Sequence, residues 1–281
     1  DGCTIIDRRL ASLKNALGAL ATTHLPIGTS LEAQVNLLTS DTAIAHSGLC
    51  VYLQNTSTQP LWSPDLLTRL CDWAASQQLA RLSIDDHATP LTIFAPTQPQ
   101  VKFGTIGVTP PPKAFLQATK HGEAALQAAI AEILHGHMHI ADLFAGCGSL
   151  SLPLIEQLAG LLAVEADGAA LTALKAGVDA AGLGGRLTTQ QRDLFDLPLL
   201  PDEFGKITAV ILDPPRSGAI AQCQQIAQSH ISTIAMASCN PASFARDAAC
   251  LTTAGFCLDW VQPVDQFNHS NHLELVGAFS R

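Results

Sequence analysis

The sequence is short of charge. Only 14% of its 281 residues are Asp, Glu, Lys or Arg, against about 25% in an average soluble domain. Since 47% are hydrophobic, it is no disordered polyelectrolyte and has the apolar side chains to fill a large core. Long hydrophobic runs are also missing. Leu158-Ala-Gly-Leu-Leu-Ala-Val164 and Ala209-Val-Ile-Leu212 fall far short of the ~18 residues that cross a bilayer as a helix, so no membrane role is expected. The eight cysteines form no C-x-x-C pair, which removes support for zinc ribbons and thioredoxin-type chemistry. Scattered thiols suit a reducing, cytoplasmic setting, where a buried thiol behaves as a small apolar residue. There is no basic run. The net charge is −9, with six cations against eight anions before Lys113 and nine against sixteen from there on. That balance argues against a general nucleic-acid or anionic-membrane binder. A nucleic-acid partner must be held by a few local cations or by parts outside this chain. The start, Asp1-Gly-Cys3-Thr, has neither an initiator Met nor a signal-peptide core. It reads as a processed, trimmed or partial chain.

What is present divides at Thr109-Pro110-Pro111-Pro112, a stiff polyproline-like segment. Residues 1–112 read as a small α+β domain. A helical leucine spacing covers 8–20, and short strands are expected over 33–38, 43–47, 49–53, 82–85, 91–94 and 101–108. Ser63-Pro64-Asp65 reads as a helix start, with Ser63 as N-cap and Pro64 in the first turn of a helix running to Leu79. Residues 113–281 switch to strand–helix alternation. Strands are expected over 139–144, 161–165, 187–191, 207–212, 233–238, 256–261 and 272–279. Helices are expected over 124–134, 150–158, 169–181, 220–229 and 241–253. Such alternation predicts an α/β, doubly wound, mainly parallel sheet that binds ligands beyond the carboxyl ends of its strands.

The loop Asp142-Leu-Phe144-Ala-Gly146-Cys-Gly148-Ser follows the first of those strands. Two glycines allow a sharp turn and a close backbone approach. Ser151 stands where the dinucleotide fingerprint has its third glycine, and an acid before the loop is poor company for a pyrophosphate. Both features suit S-adenosyl-L-methionine, which has no phosphate and carries cationic groups. Glu165 closes the next strand, where a carboxylate can accept ribose hydroxyls, and Asp193 at the third strand end suits an adenine amino group. The plainer alternative is a tight turn with solvated acids.

Three later segments carry chemistry. In Asp213-Pro-Pro-Arg216-Ser-Gly218 the prolines fix the backbone and hold an acid and a base at the sheet edge. An aromatic in place of Arg216 would have suggested amino-group methylation. In Ser238-Cys239-Asn240-Pro241 a thiol sits at a helix N-terminus, where the macrodipole favours thiolate; a structural cysteine is the plainer reading. In Phe267-Asn-His269-Ser-Asn-His272-Leu-Glu274, His272 and Glu274 are expected on one face of the closing strand, with Glu274 a partly buried carboxyl of raised pKa. An ordinary edge-strand acid, or a metal site of His269, His272 and Glu274, are the weaker readings.

Phe115-Leu-Gln117, Asp142 to Gly148, Asp213 to Gly218, Ser238 to Pro241 with Arg246-Asp247, and the ending with Phe267, His272 and Glu274 occur in this order. Together they resemble the RNA (uracil-5-)-methyltransferases, which make 5-methyluridine in 23S ribosomal RNA and in tRNA. The resemblance implies a Rossmann-like S-adenosyl-L-methionine-dependent methyltransferase domain over 113–281, with Cys239 as nucleophile and Glu274 as base. Gln117, Phe144, Glu165, Asp193 and Asp213 would line the methyl-donor site. It implies an RNA substrate, rRNA before tRNA, and a monomer. An iron–sulfur cluster of the kind some members carry would need further cysteines upstream of Asp1, with Cys3 as its last ligand. A tRNA methyltransferase, an amino-group methyltransferase and a non-catalytic RNA-binding protein with a vestigial methyltransferase fold are the alternatives.

Overall fold

A computed structural model describes residues 7–26, 28–38, 48–58, 60–85, 89–266 and 272–281. They divide into two units, Asp1–Lys102 with Thr109–Ala114, and Phe103–Val108 with Phe115–Arg281. In the first unit α1 (Arg8–His24) starts at Asp7, whose carboxylate accepts the Arg9 N–H. β1 (Leu31–Leu37), β2 (Leu49–Asn55), β3 (Arg81–Asp85) and β4 (Leu91–Phe94) form a sheet in chain order. β2 and β3 run parallel, a pairing that requires a crossover, and α2 (Pro64–Ser76) supplies it. The Ser63 hydroxyl accepts the Leu66 N–H at 3.3 Å with Pro64 in the first turn, as the sequence predicts. The buried stripe of Leu66, Leu70, Trp73 and Ala74 shares a core with Leu13, Leu53 and Leu82. The helix stops at Ser76 and does not reach Leu79. Gln78 turns left-handed with φ 52°, the Leu79 N–H donates back to Ala74 at 3.0 Å, and Leu79 drops into the core. Cys3 and the strand expected over 43–47 lie outside the described residues.

The single strand expected over 101–108 is instead a ribbon of β5 (Val101–Phe103) and β6 (Ile106–Val108). Gly104, at φ 60°, makes the turn.

In the second unit α3 (Lys120–Ile133) leads into β7 (His139–Leu143). β8 (Gly160–Glu165), α4 (Gly168–Ala180), β9 (Leu187–Gln191), β10 (Ala209–Leu212), α5 (Ile220–Ala227), β11 (Thr233–Ser238), α6 (Pro241–Thr253), β12 (Cys257–Val264) and β13 (Glu274–Ser280) follow. The sheet order is β12-β13-β11-β10-β7-β8-β9. β7 is parallel to both β8 and β10, while β13 runs antiparallel to β11 and β12. The strand order reverses between β7 and β10, which is the crevice where doubly wound sheets bind ligands. Central strands are mostly apolar because both faces are covered; all four residues of β10 are buried. Two elements differ from expectation. Between β7 and β8 the chain forms a short 3-10 helix, Leu152–Gln157, with Pro153 in its first turn. A prolyl nitrogen donates no hydrogen bond, and the span is short. The closing strand begins at Glu274, so His272 precedes it and the predicted same-face alternation of the two does not hold.

Candidate active site

Among the described residues of the second unit, the loop after β7 carries the one non-glycine residue with a left-handed backbone. Phe144 sits at φ 65°, Gly146 at 52° and Gly148 at 84°. A left-handed phenylalanine costs on the order of 1 kcal/mol. The neighbouring bonds hold it there: Ala145 N–H donates to the Val164 carbonyl at 3.1 Å and Gly148 N–H to Ala145 at 2.8 Å. The Glu165 carboxylate bridges the loop to the next turn. One oxygen accepts the Gly146 N–H and the other the Asp167 N–H, each at 2.9 Å. Asp142 lies beneath, 1% exposed, and its Oδ2 has no hydrogen-bond partner. Burial, opposed by the nearby Ser151 hydroxyl and reinforced by the charge of Glu165, pushes its carboxyl up to about 7.

Asp193 lies two residues beyond β9 rather than at its end, exposed, with its carboxylate accepting the Phe195 N–H at 2.9 Å. That turn aims the Phe195 ring at Phe144, with centroids 5.4 Å apart and planes tilted 52°. The segment beyond is anchored from two sides. Buried Gln222 accepts the Leu199 N–H at 2.7 Å and donates to its carbonyl at 3.1 Å. Arg192 pairs with Glu203 through both nitrogens.

Across the crevice, Ser238 pairs with Leu275 in the β11–β13 register. The next position on each side holds Cys239 and Glu274. Cys239 is the first residue past the end of β11, in the turn that leads to α6, and Glu274 is the first residue of β13. The charges respond to one another. Burial, then the charges of Glu274 and Asp213, push the Cys239 thiol above its ordinary value, while Arg216 pulls it down. The expectation that a helix N-terminus makes this thiol acidic is therefore corrected: burial and two carboxylates outweigh the helix. Burial raises Glu274, as its sequence context predicts. Asp213 is pushed up to about 7 by burial and by Glu274 and Asp142. Asp213, Cys239 and Glu274 thus lie within electrostatic reach of one another, and Asp142 links Asp213 to the β7 loop in the same way.

Gln117 is tied to the segment that leads toward β13. Buried Gln266 donates to the Gln117 amide oxygen at 2.7 Å and accepts the Thr119 N–H at 3.3 Å. A side chain at Gly122 would collide with Gln266, so that glycine is needed for the contact. Phe115 is 79% exposed. Phe267 and His269 lie outside the described residues. Among the described residues no His, Cys, Asp and Glu gather into a group that could hold a metal, and no helix is long and apolar enough to cross a membrane. Sequence reasoning passed over Phe195 and Gln266. Phe195 could have been found, being an aromatic two residues beyond a candidate adenine-binding acid; nothing in the sequence pairs Gln266 with Gln117.

Curated bacterial proteins match this chain over nearly its whole length. An uncharacterised RNA methyltransferase of Caulobacter vibrioides is 37% identical over 281 residues, covering 99% of this chain and 65% of its own. One from Mesorhizobium japonicum is 41% identical over 210 residues, covering 75% of this chain and 50% of its own. The chain is similar to these RNA methyltransferases over three quarters or more of its own length. It spans between half and about two thirds of the length of these two relatives. A 23S rRNA (uracil(1939)-C(5))-methyltransferase of Chromohalobacter salexigens is 36% identical over 147 residues, covering 52% of this chain and 30% of its own. Among solved structures, the tRNA (uracil-54, C5)-methyltransferase of Pyrococcus abyssi in complex with S-adenosyl-L-homocysteine superposes with a TM-score of 0.63 at 17% identity. It covers 82% of this chain and 55% of the other, and that likeness supports the methyltransferase fold. No family model matches the chain.

Proposed function

We propose that this chain is the catalytic part of an RNA methyltransferase that methylates carbon 5 of a uridine, in 23S rRNA, through a covalent bond from Cys239 to the uracil. The observation that supports the reading is the end of the β11–β13 register at Ser238 and Leu275, whose chain neighbours are Cys239 and Glu274, with Glu274 and Asp213 both within electrostatic reach of the thiol. The curated 23S rRNA relative supports the choice of base and RNA over the stretch it covers.

The residues of the β7 and β8 ends fit S-adenosyl-L-methionine. Asp142 presents a buried, unpartnered carboxyl oxygen. Such an atom is costly to leave alone, and a cationic ligand group would satisfy it. Glu165 is held rigid by two backbone amides and keeps lone pairs for ribose hydroxyls. The open face of Gly146, where an added Cβ would meet nothing within 4 Å, admits a ligand against the backbone. Phe144 and Phe195 offer aromatic faces to the adenine, and Asp193 an acceptor for its amino group. Gln117 and Asp213 would line the end nearest the uracil. When bound, S-adenosyl-L-methionine supplies the methyl group that the uracil takes up.

Carbon 5 of uracil is a weak nucleophile. The Cys239 thiolate adds to carbon 6, and the ring's π electrons move toward O4, which makes carbon 5 an enolate carbon. Hydrogen-bond donors stabilise the developing oxygen charge, and Arg216 is a cation on that loop. After methylation, Glu274 takes the remaining proton of carbon 5, the electrons return to the 5,6 double bond, and the sulfur–carbon 6 bond breaks to release the thiolate. Glu274 then passes its proton to solvent. Burial raises Glu274 toward the proton affinity such a base needs. The uridine must leave its stack to enter the crevice, and exposed Phe115 is suited to support the flipped state.

The test is nucleoside analysis of ribosomal and transfer RNA from cells lacking the whole protein, with complementation by wild type and Cys239→Ala. Loss of 5-methyluridine from 23S rRNA, restored by wild type alone, is the expected result. Loss from tRNA instead moves the substrate to tRNA. Restoration by Cys239→Ala overturns the covalent reading.

A further inference from the structure

The first turns of α6 make more bonds than a helix start requires. Asn240 caps the helix, its Oδ1 accepting the Ala242 N–H at 3.1 Å, and that alone is the usual task of such a residue. Its other side-chain atom turns outward, with Nδ2 donating to the Arg216 carbonyl at 2.9 Å. Arg246 Nη2 donates to the Ser217 carbonyl at 2.8 Å. Asp247 accepts the Ala219 N–H at 2.6 Å on one oxygen and two Arg246 donors, at 2.9 and 2.7 Å, on the other. The loop between lies so close that a side chain on Gly218, at φ 77°, would run into both Arg246 and Asp247. Asp247 is 1% exposed. A buried carboxylate is expensive unless fully bonded, and it contributes more to fixing one arrangement than to stability.

We infer that Asn240, Arg246 and Asp247 are positioning residues: they pin the backbone of residues 216–219 against the start of α6 and so keep the root of the Arg216 side chain next to the turn that carries Cys239. The inference rests on the proposed role of Cys239. Three charged groups act on that thiol. Glu274 from β13 and Asp213 from the end of β10 oppose its ionisation, and Arg216 favours it. Arg216 itself is exposed on a Pro-Pro-Arg-Ser-Gly loop, so its own side chain does not fix its place; the bonds from α6 do. With the clamp loosened, the root of the cation would drift from the Cys239 turn, and the two carboxylates would act on the thiol with less opposition.

The experiment is site-resolved alkylation of Cys239 by iodoacetamide in the 281-residue chain across a pH series, the Cys239 peptide being quantified by mass spectrometry. Arg216→Ala should raise the inflection by about one unit. Asn240→Ser keeps an N-capping hydroxyl but is too short to reach the Arg216 carbonyl. It should raise the inflection by about half a unit or more. The double variant should go no higher than Arg216→Ala alone, a non-additivity that general loosening of the fold does not produce. Asp247→Asn, a second route to the same loop, should shift the inflection in the same direction. Wild-type titration in both Asn240→Ser and Asp247→Asn overturns the inference. So does an unmoved inflection in Arg216→Ala, or full additivity in the double variant. Because alkylation needs neither RNA nor methyl donor, these results stand apart from the methylation reading. A wild-type chain with the expected titrations but no 5-methyluridine product would sink that reading and leave the clamp intact.

Discussion

Cys239 and Glu274 are the chain neighbours of Ser238 and Leu275, the last pair of the antiparallel β11–β13 register, so residues 35 apart in sequence meet the same end of the sheet. The thiol registers Glu274 as the strongest charge acting on it.

Glu274→Gln should separate the two halves of the reaction. The amide cannot take the carbon 5 proton, so elimination stalls after Cys239 has bonded to the ring. Methylated product should fall by about a thousand-fold. A protein–RNA adduct stable to denaturing electrophoresis should accumulate when methyl donor and RNA are supplied, and should vanish in Glu274→Gln combined with Cys239→Ala. Undiminished product without adduct would remove Glu274 from the reaction.

Much of this arrangement was legible in the sequence because it is local. Gly146, Gly148, Asp213 and Cys239 lie at strand ends fixed by apolar runs that could be counted, and Ser63-Pro64 announces its helix. The doubly wound sheet followed from alternation, and the motif resemblance to RNA methyltransferases is matched by the curated relatives. What escaped depends on contacts between distant segments. The Cys239 thiol was expected to be acidic because the helix N-terminus is visible in sequence. The two carboxylates and the burial that reverse the sign come from β10 and β13. The 3-10 helix at Leu152–Gln157 has an apolar pattern that fits a helix of either pitch. His272 fell outside β13 because a strand's first residue is set by its partner, and alternation carries no such mark.

The two glycines of the β7 loop should respond differently to alanine. Gly146 has a left-handed φ but open space where Cβ would go, whereas at Gly148 the Cβ would meet Leu152 at 2.7 Å and Leu174 at 2.9 Å. Gly146→Ala should cost about 1 kcal/mol of stability yet weaken methyl-donor binding severely, because the methyl group would occupy the face offered to the ligand. Gly148→Ala should cost roughly 2–3 kcal/mol by overpacking two fully buried leucines. Denaturant melts and calorimetric titration with S-adenosyl-L-homocysteine check both. Equal stability losses with equal affinities would contradict the assignment of the open face.

In the first unit, buried Asp85 accepts from Tyr52 at 2.5 Å and from Lys113 at 2.8 Å, with the ammonium 5.1 Å from the Tyr52 ring centroid. Lys113→Met removes the cation from a carboxylate that stays bonded to Tyr52. Because Lys113 is itself 43% exposed, the loss should be modest, about 1 kcal/mol, and reduced in high salt. Chemical denaturation at two ionic strengths measures it. A salt-independent loss would mean that the lysine acts through packing and not through charge.

Asp142 sets a pH dependence whose sign follows from its environment. Its carboxyl, ordinarily near 3.8, is raised to about 7 in the folded chain. Below about pH 4 both folded and unfolded chains hold the proton, and the residue contributes nothing to the pH dependence. As pH rises from about 4 to about 7 the unfolded chain releases a proton that the folded chain keeps. Stability therefore falls across that window and levels off above it. Asn cannot titrate, so Asp142→Asn should melt close to wild type near pH 4 and be more stable by roughly 2 kcal/mol at pH 8. The full shift corresponds to about 4 kcal/mol, reduced by the new amide's unmet hydrogen bonds. The same variant should lose methyl-donor affinity, since the oxygen that burial leaves without a partner is the one a cationic ligand would need. Stability gained and binding lost at one position is the trade expected where strain serves a site. Parallel stability–pH curves for wild type and Asp142→Asn would show that this carboxyl is not perturbed, and with that the argument for a ligand beside it would fall.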